Sequence, residues 1–233
     1  MKSPALLNID QNHKTVKGQK KGYMTAILYL APVNLSGYQV CPQASAGCRA
    51  ACLNTAGHGK VKFVQAARIR KTKMYFEDRQ TFMSQLSAEI SALVIRAKKA
   101  NMVPTIRLNG TSDIAWETTT IMEQFPEIQF YDYTKQYKRM KRFLTDKTWP
   151  KNYHLTFSLA EDNDAAAEMI FLMGGNVAVV FAEPKKEYWI GQAHMKVVLG
   201  DEDDLRFLDK KNVIVGLTAK GKARKDTSGF VRK

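Results

Sequence analysis

The chain has 233 residues, of which 45% are hydrophobic and 25% are charged, and its formal net charge is +14. This composition supports a packed core of one domain, or at most two, and excludes a disordered chain. No apolar run is long enough to cross a bilayer, and residues 1–4 lack the apolar core of a secretory signal. We therefore expect a cytoplasmic protein that makes no contact with membranes.

The first predicted elements lie on either side of a long loop. Residues 1–22 are polar and basic without helical or strand periodicity, and they predict a basic N-terminal arm ahead of a single domain at residues 23–233. Residues 24–31 form a continuous apolar run closed by Pro32, which predicts a buried strand. The loop that follows, residues 32–60, is far longer than an ordinary connection, which indicates a functional role.

The rest of the chain alternates between predicted helices and predicted strands. Apolar residues from Phe82 to Ala97 fall on one face at helical spacing, and they predict a helix over residues 76–100. A shorter helix is predicted over residues 165–173, ending at a pair of glycines. Apolar segments predict six further strands, at residues 104–108, 128–133, 153–158, 177–181, 195–199 and 213–217.

This alternation indicates parallel βαβ units. We therefore predict an α/β fold, a partial or full TIM-like (β/α) barrel with a metal-binding loop after the first strand. The later strands are separated by short connections, so some crossovers are predicted to be loops, or the last strands to be antiparallel. In a parallel barrel the active site lies where the strands end.

Polar side chains cluster at these predicted strand ends. The candidate catalytic residues are Arg107, Asp113, Tyr131 and Lys135. The candidate cofactor-binding residues are His58, Asn109 and Ser158. Arg107 and Lys135 would bind an anionic substrate or balance the charge of a metal cluster, or else form buried ion pairs with Asp113 or Asp132. Tyr131 and Tyr133 share one side of their strand and either donate protons or pack. The acidic turn at residues 201–204 is either a divalent-cation site or a solvated turn.

All three cysteines lie in the long loop, in the spacing Cys41-x6-Cys48-x3-Cys52. A disulfide framework needs an even number of cysteines, whereas a bunched trio indicates metal binding in a reducing compartment. Thiolates suit iron–sulfur clusters and zinc. Three thiolates would leave one iron of a 4Fe–4S cluster open to substrate. Zinc remains the alternative, with His58 completing a Cys3His site. His58 could also serve as a fourth iron ligand or a proton donor, or be a plain loop residue.

The positive charge is concentrated in two segments, residues 135–151 and residues 218–233. These are either solvated helix faces with a basic tail, or a surface that binds phosphate groups. Nucleic acid is the first acidic partner to consider, because polyanions favour such basic clusters.

Several long motifs resemble the bacteriophage protein family called gene product 88, over roughly residues 23–231. The resemblance rests on the cysteine loop with residues 66–72, and on the strand-end motifs at residues 107–113, 130–135 and 153–158. Residues 200–201, 216–223 and 228–231 also fit. Membership implies a phage-encoded protein in the host cytoplasm, and it implies no settled biochemical role.

A cysteine loop after the first strand of a partial barrel also resembles radical S-adenosylmethionine (SAM) enzymes. Those enzymes use the spacing Cys-x3-Cys-x2-Cys, whereas this loop has the spacing Cys-x6-Cys-x3-Cys. They also carry a glycine-rich acidic motif after the second strand, where this chain has residues 109–112. SAM is therefore kept only as a possible cofactor.

From these observations we expect an iron–sulfur oxidoreductase. An electron donor such as a ferredoxin or flavodoxin would reduce the cluster, and a small-molecule substrate at the open iron would accept the electron. The alternatives are a nucleic-acid-binding protein with a structural zinc or iron–sulfur site, and a radical SAM-like enzyme.

Overall fold

The computed structural model describes residues 4–9 and 13–233. Within these residues the strands are β1 Leu7–Ile9, β2 Tyr23–Leu28, β3 Val103–Arg107, β4 Gln129–Thr134, β5 Tyr153–Ser158, β6 Val177–Phe181, β7 Glu187–Ile190, β8 Ala193–Leu199, β9 Ile214–Thr218 and β10 Val231–Arg232. The α-helices are α1 His13–Gln19, α2 Val33–Ser36, α3 Ala46–Ala50, α4 Lys62–Glu77, α5 Arg79–Lys99, α6 Ile121–Gln124, α7 Tyr137–Thr145 and α8 Asp164–Leu172. The fold is therefore mixed α/β.

The ten strands form one mostly parallel sheet in the order β1-β2-β3-β4-β5-β6-β9-β8-β7, with β10 also paired to β6. Only the β1/β2 and β7/β8 pairs are antiparallel. The strand β10 pairs with β6 beyond the point where β5 ends, at Val231↔Val180. Among the described residues the sheet is open, since β1 and β7 do not pair with each other. The predicted barrel closure therefore stays a prediction.

One face of the sheet packs against helices and forms the main core. The α5 side chains at helical spacing are completely buried: Phe82, Leu86, Ile90, Leu93 and Ala97. They pack in one cluster with even-numbered residues of the central strands, such as Ile106 and Phe130. The predicted helix over residues 76–100 is in fact two helices, because Asp78 accepts a hydrogen bond from the Thr81 N–H and starts α5. No helix among the described residues is long and apolar enough to span a membrane.

The other face, which we call the inner face, carries polar side chains. It is formed by Thr105 and Arg107 on β3, Tyr131 and Tyr133 on β4, and Thr156 on β5, as the strand register requires. Residues 200–209, which we call the strap, cross this face. Phe207 of the strap packs on Tyr131, with ring centroids 5.2 Å apart. The inner face is therefore enclosed between the sheet and the strap.

The N-terminal residues differ from the expected extended arm. Leu6 and Leu7 are buried, and both of their backbone N–H groups donate to the Glu89 carboxylate on α5. Strand β1 extends the sheet and α1 packs near the strap, where Leu205 contacts Gly18. These elements could not be predicted from the sequence, because a three-residue strand and a seven-residue helix are too short to show periodicity. The parts of the predicted arm at residues 1–3 and 10–12 lie outside the described residues.

Candidate functional site

The cysteine loop is attached to the carboxyl end of β5 by one carboxylate. Glu161 accepts hydrogen bonds from the Ser45 hydroxyl, at 2.7 Å, and from the Gly47 backbone N–H, at 2.6 Å. Ser45 also caps helix α3 by accepting from the Cys48 N–H. Burial opposes the ionised form of Glu161, yet these hydrogen bonds hold its pKa below the ordinary value. The carboxylate thus fixes the loop segment that carries Cys48.

The same contact leaves no room for a side chain at Gly47. A Cβ atom there would lie 2.2 Å from the Ser228 Oγ, 2.8 Å from the Phe230 Cβ and 2.9 Å from a Glu161 oxygen. Glycine at this position therefore allows α3 to approach the C-terminal segment closely. The cysteine loop, the end of β5 and the chain around residue 230 are packed as one unit.

The three cysteines are half-buried free thiols. Burial, with smaller contributions from Asp113 and the other two thiols, raises the pKa of Cys41 to about 12. Burial also raises the pKa of Cys52, where Cys48 adds to the effect while Arg68 and Lys135 oppose it. The thiols are therefore close enough to influence one another's ionisation. At neutral pH Cys41 and Cys52 are protonated unless a metal replaces the protons.

The structure does not bring these thiols together around a single point. Among residues 4–9 and 13–233, no group of three or more His, Cys, Asp or Glu side chains is arranged to bind one metal ion. His58 is exposed, and it belongs to no such group among the described residues. The Cys41 thiol contacts the Thr111 carbonyl at 3.7 Å, whereas Cys48 packs with the alanines around Phe230. In chemical type, three soft thiols with neighbouring cations fit a cluster of several irons.

Lys135 lies between the cysteine loop and the strand ends. Its ammonium donates to the Ser158 hydroxyl at 2.8 Å and lies 5.5 Å from the centre of the Phe230 ring. The same charge acts on Cys41 and Cys52 by lowering their pKa values. The structure therefore brings together Lys135 and Ser158 of the predicted site, next to the thiols.

Asp113 fixes the backbone of Lys135. It accepts a hydrogen bond from the Lys135 backbone N–H at 2.9 Å and forms an ion pair with Arg139 at 2.8 Å. Arg139 also pairs with Glu117 and is itself buried. Asp113 is thus fully engaged in holding the chain that carries Lys135.

Asn109 has a similar supporting position. Its side-chain oxygen accepts from the Ser112 hydroxyl, the Ile114 N–H and the Trp116 indole N–H. Its side-chain nitrogen donates to the Ile114 carbonyl and to Asp132. These bonds shape the loop after β3, and they use both polar atoms of the Asn109 side chain.

Arg107 occupies the inner face. Its guanidinium pairs with Asp204 of the strap at 2.6 Å and lies over the Tyr133 ring, 5.0 Å from the centroid, and more distantly over the Tyr131 ring. Burial disfavours the charge, but Asp204 together with Tyr133, Tyr131 and Asp132 more than offsets it and raises the Arg107 pKa. Asp113 and Asp132 were the ion-pair partners predicted for Arg107 from the sequence. The actual partner, Asp204, lies 97 residues away.

The inner face keeps several buried polar atoms without hydrogen-bond partners among the described residues. They include the Nε atom of Arg107 and the hydroxyls of Tyr133 and Thr156. Such atoms are costly when they have no partner, and they are uncommon in native interiors. The enclosed face therefore holds unused hydrogen-bonding atoms beside Arg107.

The strap is neither a cation site nor a solvated turn. Its carboxylates pair with basic side chains: Asp201 with Lys14 and Lys220, Asp203 with Lys21 and Arg206, and Asp204 with Arg107. Glu161 was not among the residues predicted from the sequence, although it follows a predicted strand end as the other candidates do. Arg68 was not predicted either, because its contact with Asn54 at 2.6 Å becomes visible only in three dimensions.

The cysteine loop and the strand-end motifs are the parts of the chain that suggested a family by resemblance. The family profile described as gene product 88 matches residues 5–233. The chain belongs to the gene product 88 family. The match covers nearly the whole chain, including the strap and the C-terminal segment of this gene product 88 protein. No curated protein and no solved structure matches the chain, and a resemblance to radical SAM enzymes is not shown.

Proposed function

We propose that Cys41, Cys48 and Cys52 hold a 4Fe–4S cluster, and that the protein is a phage-encoded oxidoreductase. The observation that carries the proposal is the set of three free, half-buried thiols in electrostatic reach of one another. No fourth cysteine exists in the chain. One iron would therefore lack a cysteine ligand and be available to a substrate.

The arrangement of the thiols favours a cluster over zinc. A zinc site requires each ligand sulfur to lie about 2.3 Å from one ion, so the sulfurs must converge on a single point. In a cluster each cysteine binds a different iron, and no such convergence is needed. The described residues contain no convergent group, and His58 is exposed.

Charge at the site supports an anionic cofactor. Three thiolates bring three negative charges into a half-buried loop, and such charges need nearby cations. Lys135 and Arg68 already lower the pKa of Cys52 in the structure. Both cations are fixed, since Lys135 is bonded to Ser158 and Arg68 to Asn54.

The inner face supplies the substrate pocket in this proposal. Arg107 and Tyr133 would bind a small polar substrate through the atoms that have no partner, with Tyr131 packing beneath them. Lys135 and Ser158 would orient the substrate at the thiol side, and Asp113 and Asn109 would position the loops. The sheet and the strap together would act as an incomplete barrel around this pocket.

The cofactor would supply one-electron transfer. A donor such as a ferredoxin or flavodoxin would provide the electron, and the bound substrate would accept it. We place this reaction in the host cytoplasm, because free thiols persist in reducing compartments.

Anaerobic purification tests the proposal directly. The protein should be brown, with about four irons and matching labile sulfide per chain. Each of the variants Cys41→Ser, Cys48→Ser and Cys52→Ser should lose most of the iron, whereas Thr55→Ala in the same loop should retain it. Colourless protein that holds one zinc, or cysteine variants that keep iron and sulfide, would overturn the proposal.

A further inference from the structure

A long stretch of the sequence contains no acidic residue. Between Asp10 and Glu77 the chain has neither Asp nor Glu, although it has many lysines and arginines. This stretch includes the cysteine loop and nearly all of α4. Any counter-charge for its basic residues must therefore come from other parts of the chain.

Helix α4 presents part of this charge on one exposed face. Lys62, Phe63, Ala66, Arg70 and Lys73 are all exposed, and their spacing of three to four residues places them along the same side of the helix. The opposite side is buried through Arg68, Lys71, Thr72 and Tyr75. The exposed side is thus a basic ridge about 16 Å long, from the rise of 1.5 Å per residue.

A second basic segment lies beside the cysteine loop. Residues 221–225 form a 3-10 helix with exposed Lys222, Arg224 and Lys225. Gly221 approaches the loop so closely that an added Cβ would lie 2.9 Å from the Ala56 side chain. We call one surface the acid-free face because none of its residues is acidic. It consists of the α4 ridge, residues 221–225 and the exposed loop residues Leu53, Gly57, His58, Lys60 and Val61.

Within residues 4–9 and 13–233, the two lysines and the arginine of the α4 ridge have no ion-pair partner. Lys62, Arg70 and Lys73 form no ion pair with any described residue, nor do Lys222 and Lys225. On α7, by contrast, Arg139 is buried against two carboxylates and Arg142 pairs with Asp146. All three ridge charges are therefore available to a polyanion.

The acid-free face also exposes two large apolar side chains. Phe63 at the start of the ridge is 75% exposed and Leu53 in the cysteine loop is 58% exposed. An exposed aromatic ring among cations is the arrangement on which nucleic acid bases stack while their phosphates contact the charges. Double-stranded nucleic acid keeps its bases stacked internally and could not use this ring.

We propose that the acid-free face binds single-stranded nucleic acid, with the phosphates on the α4 ridge and a base on Phe63. This inference does not depend on the cluster, because the ridge charges and Phe63 lie outside the cysteine triad. It adds a macromolecular partner to the small-substrate chemistry proposed above.

Fluorescence anisotropy with a labelled 20-nucleotide oligo(dT) tests the inference. The protein should bind at about 50 mM salt, and affinity should fall steeply as salt rises. The triple variant Lys62→Glu/Arg70→Glu/Lys73→Glu should weaken binding at least tenfold and flatten the salt dependence. Phe63→Ala should weaken binding about 5- to 100-fold with little change in the salt dependence.

Matched controls separate this face from overall charge. Lys138→Glu/Lys141→Glu/Lys151→Glu changes the net charge by the same amount at exposed positions on and after α7, and it should weaken binding much less. Ile95→Ala removes another exposed apolar side chain, on α5, and should have no effect. Circular dichroism on each variant verifies the fold.

Three results of the oligonucleotide experiments would overturn the inference. They are the absence of binding at low salt, equal losses in the two triple variants, and a duplex of equal length that binds as tightly as the single strand. Tighter binding of polyglutamate than of oligo(dT) would also overturn it and assign the face to an acidic protein. Iron content measured on the same samples keeps this outcome separate from the cluster proposal.

Discussion

The Nη1 atom of Arg107 lies 2.6 Å from the Oδ2 atom of Asp204, and this contact joins the carboxyl end of β3 to the strap across the inner face. Both side chains are at least nine-tenths buried. A buried ion pair of this kind contributes little net stability compared with apolar side chains, but removing one partner leaves an uncompensated charge. The pair therefore makes strap closure depend on both residues.

Replacing Arg107 with methionine should destabilise the protein by about 3–5 kcal/mol, because Asp204 would remain buried without its counter-charge. The double variant Arg107→Met/Asp204→Leu should recover most of this loss. Urea unfolding followed by circular dichroism measures both. Arg142→Met, which breaks an exposed pair with Asp146, should change stability by less than about 1 kcal/mol. A double variant as unstable as the single one would contradict the expectation.

Replacing Gly47 with alanine should displace helix α3, since the new Cβ would lie within 3 Å of Ser228, Phe230 and Glu161. Overpacking of this kind typically costs about 1–3 kcal/mol. If the proposed cluster is present, its iron content should fall as well. Gly18→Ala is the matched control, because its nearest neighbour would be 3.6 Å away and the position is helical. Equal melting temperatures for the two variants would show that the loop can move freely.

Asp132 should make stability depend on pH. Burial raises its pKa to about 7, although Arg107 and a hydrogen bond from the Asn109 N–H oppose the shift. The unfolded carboxyl titrates near pH 4, so between about pH 4 and pH 7 the folded protein holds a proton that the unfolded chain releases. Stability from this group is therefore present at low pH and is lost as the pH rises, by at most about 1.4 kcal/mol per pH unit.

The test of Asp132 compares the wild-type protein with Asp132→Asn across this range. The difference in unfolding free energy between them should change steadily from pH 4 to pH 7 and level off above it. Two parallel pH profiles would show that Asp132 does not titrate in this window.

Lys135 should tune the cofactor if the cluster proposal is correct. Its ammonium is held near the thiols by Ser158, and a nearby positive charge favours the reduced state of a cluster. Lys135→Met should lower the midpoint potential, by on the order of 60 mV for this one-electron couple, measured in a redox titration followed by electron paramagnetic resonance. Lys138→Met, exposed on α7, should leave the potential unchanged. A rise in potential for Lys135→Met would contradict this role.

The buried strands of the parallel sheet could be predicted from the sequence. Each of the seven predicted strands overlaps a strand of the structure, because each is a short segment rich in β-branched, aromatic and other apolar residues. The strands β1, β7 and β10 were not predicted. Of these, β1 has only three residues and β10 only two. They form strands because β1 pairs with β2 and β10 pairs with β6.

The candidate site was predictable in part, because residues after parallel strands meet at one edge of a sheet. This rule brings Lys135 to Ser158 and places both near the cysteines. It could not show that Asp113 and Asn109 use their polar atoms within their own loops, nor that Arg107 pairs with Asp204. Those partners depend on the paths of the loops and the strap, which have no periodic pattern in the sequence.

The sheet order also has a consequence for how the chain folds. From β2 to β6, each strand pairs with the next one along the chain, so these pairings need only one crossover each. The strap follows later, and Asp204 reaches Arg107 across 97 positions. Contacts of such long sequence separation form late because loop closure must come first. During synthesis the inner face would therefore stay open to water until residues 200–209 have been made and can close over it.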